Sequence, residues 1–255
     1  MFIDHIYWLL VTKAKLSSEF DSLVNKATAD NLVVEDYTAG LLIGGFMGIL
    51  IDGEGNQYTC ILAHGAGAPM DSAFMNQFAS GLAEKDIQVM RFEFPYMQER
   101  RINGKKRPPN RQPELIECFK EISIKIEGPY VVAGKSMGGR MASILAAQDQ
   151  VSEQLKGVLA IGYPFHPQGK PEKLRTDHLP AINVPMLIEQ GTRDALGGIE
   201  LVSALGLPSG IQIDWLEDGN HDLKPRVKSG YTHEQHIMSA IENSAKFIKR
   251  CLKSK

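Results

Sequence analysis

From residue 58 onward, short runs rich in Val, Ile and Leu alternate with stretches of about 10 to 20 residues whose apolar positions recur every three or four. No other feature of the chain narrows its fold so far. The runs are YTCILA (58–63), IQVMRFEF (87–94), PYVVAG (129–134), GVLAIG (157–162), VPMLIEQ (184–190) and IQIDWL (211–216). This is the rhythm of a parallel sheet covered by helices on both faces. The helical stripes are Phe74, Phe78 and Leu82; Leu115, Phe119 and Ile122; Ile199, Val202 and Leu205; and Ile237, Ile241, Ile248 and Leu252. Each is read as core packing. Upstream, LVVEDY (32–37) and LLIGGFMGILI (41–51) read as an antiparallel edge hairpin, because DGEGN at 52–56 is a turn leading into the next strand. Residues 1–30 read as a helical extension of unknown role. The expectation is one α/β domain over residues 1–255, with a mostly parallel central sheet of about eight strands, an N-terminal antiparallel edge hairpin and helices on both faces.

Composition narrows the function classes. With 255 residues, 43% hydrophobic and 23% charged, the chain has enough apolar material for a sizeable core. A net charge of −2 gives no global case for nucleic acid or an acidic membrane surface. Cys60, Cys118 and Cys251 lie far apart without metal-ligand spacing, and an odd number argues against a disulfide framework. A reducing cytoplasm is the simplest setting. The early apolar run from Ile6 to Val11 is too short to cross a bilayer, so an unexported, soluble protein is expected. No repeat or low-complexity linker divides the chain.

The segment PYVVAGKSMGGRMASILAA, residues 129–147, admits two chemistries. A phosphate loop requires G-x-x-x-x-G-K-[ST], but the position five before Gly134 is Pro129, and Tyr130 to Ala133 are strand-like where loop is needed. The nucleophile elbow G-x-S-x-G requires the opposite: a buried strand, a sharp turn at the serine and an immediate helix. Tyr130–Ala133 supply the strand and Met141–Ala147 the helix. Gly134 and Gly138 leave space on either side of Ser136, and Gly139, Ala142 and Ala146 let the helix lie close to the sheet.

A serine hydroxyl is a weak nucleophile without a base and an orienting acid. VPMLIEQ ends in GTRD, presenting Asp194, and IQIDWL ends in EDGNHDL, presenting His221. Their order after the serine is that of the elbow-type hydrolases. Glu189, Asp218 and Asp222 are weaker rivals for the acid: Glu189 lies within its strand and the other two flank the histidine. His166 and His178 precede Asp194, while His233 and His236 sit on or near the last helix, at helical spacing but with no third metal ligand nearby. The negative oxygen formed on an attacked carbonyl needs two N–H donors: the backbone of Met137, and one from HGAGAPMDS (64–72), with Ala66 favoured over Gly67.

ILAHGAGAPMDS, AGKSMGGR, GYPFHPQGKPEKLR, QGTRD and DGNHDL, all in this order, resemble the α/β-hydrolase superfamily, and more narrowly a dienelactone-hydrolase-like branch that includes testis-expressed protein thirty and its bacterial relatives. The resemblance covers about residues 40–252. It implies a cofactor-independent serine hydrolase with Ser136, Asp194 and His221 at the triad positions. It implies no particular substrate, and a non-catalytic binding or scaffold subunit on the same fold is the alternative.

Further features bear on substrate. Only about twenty residues separate GVLAIG from VPMLIEQ, too few for a large cap domain, which favours small or medium acyl groups. The segment 96–112, read as a loop, carries Arg100, Arg101, Lys105, Lys106, Arg107 and Arg111 against Glu99 alone, and is either a solvated surface loop, the favoured reading, or a basic rim open to an anionic substrate. Lys135 could meet a carboxylate or point away. Phe165 and His166 either line the acyl pocket or pack their loop.

Overall fold

The computed structural model describes residues 48–253. Expectations for residues 1–30 and for the first hairpin strand, 32–37, lie outside them. Among the described residues seven strands form one sheet: β1 (Ile49–Asp52), β2 (Tyr58–Ala63), β3 (Ile87–Phe92), β4 (Tyr130–Lys135), β5 (Leu155–Ile161), β6 (Met186–Gly191) and β7 (Ile211–Leu216). Their spatial order is β1-β3-β2-β4-β5-β6-β7. Every pairing is parallel except β1 with β3.

The antiparallel edge has a visible cause. Although the turn at 52–56 leads straight into β2, β1 pairs one place further out, on β3. There Arg91 of β3 grips Asp52 of β1 through Nε (2.7 Å) and Nη2 (3.0 Å), a two-point contact that fixes the register.

Among the described residues six helices flank the sheet: α1 (Ala73–Ala83), α2 (Pro95–Asn103), α3 (Gln112–Ser123), α4 (Met137–Ala146), α5 (Ile199–Ser203) and α6 (His233–Leu252). Neighbouring residues of one strand feed opposite faces. In β4, Val131 and Ala133 join the layer of α1 and α6, while Val132 packs with α3 and α4. The continuous apolar runs of the sequence follow from this two-sided burial. Helix α6 starts at a reciprocal cap, Gln235 N–H to Thr232 Oγ1 (3.1 Å) and Thr232 N–H to Gln235 Oε1 (2.8 Å). Helix α5 spans only five residues, so Leu205 of its predicted stripe lies beyond its end.

One sequence expectation is corrected. Residues 96–112 are not loop throughout, since α2 occupies Pro95–Asn103. Proline at the first helical position and Gly104 in the left-handed conformation just past the end (φ 69°) are its start and stop signals. They were legible, but the dense positive charge obscured them. Between β5 and β6 the connection contains only a 3₁₀ turn at Leu179–Ala181, and no cap domain is built there. Among the described residues no helix is long and apolar enough to cross a membrane.

Candidate active site

β4 ends against α4 with a single residue, Ser136, between them. Its backbone has φ 52° and ψ −113°, a region that non-glycine residues rarely occupy. The adjacent glycines make that turn possible. A Cβ on Gly134 would lie 2.2 Å from the Gly138 carbonyl carbon, and one on Gly138 would lie 2.6 Å from the Ala63 oxygen. Side chains at either position would push α4 off the sheet. Ser136 N–H donates to the Ile161 carbonyl at 2.8 Å, tying the turn to β5.

Asp194 follows β6 and His221 follows β7, both at the C-terminal edge where Ser136 sits. Ser136 Oγ is 2.8 Å from His221 Nε2, and His221 Nδ1 is 2.8 Å from Asp194 Oδ2. An ionised carboxylate only accepts, so Nδ1 carries the proton and Nε2 is left to accept from the serine hydroxyl. The Asp194 side chain is fully buried. Its Oδ1 accepts from Leu196 N–H (2.8 Å) and its Oδ2 also accepts from Gln190 Nε2 (3.0 Å).

None of the rival acids reaches His221. Asp218 pairs with Arg226 and Arg193, which hold its carboxyl well below the ordinary range. Asp222 lies 3.2 Å from Lys135 Nζ. Glu189 is wholly buried, and desolvation raises its carboxyl well above the ordinary range. It packs on the opposite side of β6 from Gln190. Of the other histidines, His178 bonds Ser143 Oγ (2.8 Å) and is pushed down to about 4, first by burial and then by the Arg140 cation.

The loop after β2 runs beside the serine, and a Cβ on Gly65 would stand 3.7 Å from Ser136 Cβ. Its carbonyls are pulled one way. Gly65 O accepts from His64 Nδ1 (2.7 Å), Ala66 O from Tyr96 Oη (3.0 Å) and Gly67 O from Arg100 Nη1 (3.2 Å). Because N–H and C=O of one planar peptide point oppositely, the amides of Ala66, Gly67 and Ala68 turn away from α2. Met137 is the first residue of α4, where a helical N–H has no partner within its own helix.

Other predicted contacts are drawn into the scaffold. Lys135 is only 7% exposed, and its Nζ donates to the His221 carbonyl at 2.7 Å. It neither points to the surface nor leaves its ammonium unengaged. Phe165 is fully buried, stacked edge-on to Tyr163 with ring centres 4.8 Å apart. His166 is buried, its Nδ1 2.8 Å from the Pro167 carbonyl. Both pack their loop. The basic rim is neutralised at two of its six cations: Arg101 pairs with Glu93 and Asp71, and Arg107 with Glu99. The sequence count missed Glu93 and Asp71 because both lie outside the basic segment. His233 and His236, weighed as metal ligands, bond the carbonyls of Asp222 and Leu223, each at 2.8 Å.

Three contributors escaped the sequence reading: Gln190, His64 and Tyr96. Gln190 is wholly buried, and besides Asp194 it holds Tyr163 N–H (2.7 Å), Tyr163 O (3.2 Å) and Gly197 O (3.0 Å). His64, also wholly buried, accepts from Phe94 N–H at Nε2 (3.1 Å), which leaves Nδ1 as the donor to Gly65. Burial pushes its pKa below the ordinary value. The available signal was a polar residue at the end of an otherwise apolar strand, His64 just after β2 and Gln190 beside Glu189 in β6.

A serine on a strained strand-to-helix turn, followed by an acid and a histidine from the ends of later strands, defines an α/β hydrolase. The family model described as "Alpha/beta hydrolase domain" matches residues 56–249, and the chain belongs to that family. Solved structures share the fold at low identity. Est1E from Butyrivibrio proteoclasticus is 14% identical, with a TM-score of 0.59 over 82% of this chain and 95% of its own. Dienelactone hydrolase from Anabaena variabilis is 15% identical, with a TM-score of 0.58 over 81% and 93%. A member of the α/β serine hydrolases without lid, from Xanthomonas campestris, is 16% identical, with a TM-score of 0.55 over 82% and 91%.

Proposed function

We propose that this protein is a serine hydrolase that cleaves a carboxylic ester or thioester of a small to medium acyl group through an acyl-enzyme. The observation that carries the reading is the pair of 2.8 Å contacts linking Ser136 Oγ, the His221 ring and Asp194. In this mechanism Ser136 Oγ attacks the acyl carbon while His221 Nε2 takes its proton. Asp194 keeps the ring in the tautomer that can accept and stabilises the imidazolium that forms. The amides of Met137 and Ala66, with Gly67 next to it, donate to the oxyanion. Collapse of the tetrahedral adduct expels the alcohol or thiol, protonated by His221. Water activated by the same nitrogen then attacks the acyl carbon and frees Ser136.

The short connection between β5 and β6 supports the acyl size, because it contains no inserted cap that could enclose a long chain. Among the described residues Arg140 has no ion-pair partner, and its Nε is buried without a hydrogen bond. With Arg100, it makes charged acyl groups worth including in the test.

That test is a set of p-nitrophenyl esters of graded chain length, with and without a negative charge, run on the native protein and on Ser136→Ala. Turnover abolished by the substitution, together with fluorophosphonate labelling at Ser136, is expected. Absence of both from the native protein refutes the reading and leaves a binding or scaffold role on the same fold.

A further inference from the structure

Lys135 precedes Ser136 in the chain, yet its side chain reaches the loop that carries His221. Its Nζ donates to the His221 carbonyl at 2.7 Å and lies 3.2 Å from Asp222 Oδ1. The next two carbonyls of that loop are also held. His233 Nε2 is 2.8 Å from Asp222 O, and His236 Nδ1 is 2.8 Å from Leu223 O. A carbonyl only accepts, so each ring nitrogen carries a proton and donates. Three consecutive carbonyls, 221 to 223, therefore each receive a side-chain donor.

The loop needs such anchoring. Asp218 and Leu223 have φ of 55° and 61°, a left-handed conformation that costs a non-glycine residue about 1 kcal/mol or more. An unanchored loop would relax out of it and carry His221 along. Two of the three donors belong to α6, on the far side of the loop. Lys135 alone belongs to β4, the strand that delivers Ser136. Space for the contact is kept by Gly162 (φ 63°), where a Cβ would lie 2.7 Å from the His221 oxygen and 3.1 Å from Lys135 Nζ. Burial holds the lysine below its ordinary pKa, and the Asp222 carboxylate partly offsets that cost.

We propose that Lys135 is a positioning residue that sets the separation of Ser136 Oγ and His221 Nε2 by tying the histidine's backbone to the serine's own strand. The proposal rests on the roles given above to Ser136 and His221. It differs from a substrate contact in its consequence: losing the ammonium disturbs proton transfer and leaves substrate binding nearly unchanged.

The test is Lys135→Met, which keeps the apolar stem and removes the donor. A misplacement of about 1 Å costs up to about 100-fold in rate, so kcat toward a short p-nitrophenyl ester is expected to fall about 10- to 100-fold with KM changed by less than about threefold. Lys135→Arg, which retains a cationic donor, is expected to recover most of that loss. A second readout does not depend on turnover. The His221 Nδ1 proton, held against Asp194, gives a low-field proton resonance expected to be sharp in the native protein and broadened in Lys135→Met. A Lys135→Met protein with kcat within about twofold of native and an unchanged resonance overturns the proposal. If the native protein hydrolyses nothing and resists fluorophosphonate, the functional reading fails, but the resonance still decides whether Lys135 positions the histidine. Should Lys135→Met not fold, Lys135→Leu, which also lacks a donor, carries the same two measurements.

Discussion

Gly134→Ala adds one methyl group and is expected to disable the site while leaving every proposed catalytic group in the sequence. The added carbon would stand 2.2 Å from the Gly138 carbonyl carbon, 2.3 Å from Gly139 N and 2.7 Å from Gly138 O. All three are backbone atoms of the first turn of α4, so no side chain can swing aside. Ordinary carbon contacts begin near about 3.5 Å, so the helix must retreat by about 1.3 Å. That retreat carries Ser136 and the Met137 amide away from His221, which is held through β7, α6 and Lys135 of β4, none of which moves with α4. A displacement of that size costs about 100-fold in kcat, equivalent to about 2.7 kcal/mol of transition-state stabilisation. Overpacking against rigid backbone adds a folding cost of about 1–3 kcal/mol. The assay pairs p-nitrophenyl acetate turnover with urea unfolding. Gly210→Ala is the control, because a Cβ there meets nothing within 4 Å. It is expected to stay within about 0.5 kcal/mol of native. A Gly134→Ala protein with native turnover and an unchanged unfolding midpoint would refute the claim that helix-to-strand proximity holds the serine in place.

Gln190→Leu leaves Tyr163 N–H, Tyr163 O and Gly197 O without their buried partner, so unfolding in urea should show a loss of about 3 kcal/mol or more; a loss below about 1 kcal/mol contradicts it. Burial raises the Cys60 and Cys118 thiols to about 12 and Cys251 to about 11, so at pH 8 only about one thiol in a thousand or fewer is ionised. Iodoacetamide should therefore modify these cysteines slowly in native protein and quickly in denaturant, and equal rates would oppose the assigned burial. His178 has its pKa lowered from 6.5 to about 4, so between those values the unfolded chain takes up a proton that the folded protein refuses. Stability is thus full above pH 6.5 and is lost as pH falls toward 4. Melting temperatures measured across that window should fall less steeply for His178→Gln than for the native protein, with His64 contributing the remaining slope in the same direction; parallel curves would contradict the assignment.

The parts of this fold legible in the sequence are those governed by local pattern. Five strands from β2 to β6 announce themselves as apolar runs because both of their faces are largely buried, the edge strand β7 by its alternating Ile211, Ile213 and Trp215, and the elbow because only glycine fits at 134 and 138. Asp194 and His221 follow from counting strand ends, since a parallel sheet brings every such end to one edge. What escaped depends on pairings between distant segments. Arg101 looked like an unpaired charge until Glu93 and Asp71 came beside it, and Lys135 stood open between a substrate contact and the surface until the His221 carbonyl came within 2.7 Å. The difference is one of dimension. A turn, a cap or a strand is a statement about neighbours along the chain, whereas the partner of a buried charge is chosen by the whole topology. Residues next to the proposed nucleophile are therefore the ones most easily misassigned: a lysine at 135 must either face the substrate or satisfy its charge within the protein. In this molecule the second choice couples the strand that carries the serine to the loop that carries the histidine. A cation placed there to meet a substrate would have left the His221 carbonyl without its donor and removed that tie between β4 and the loop.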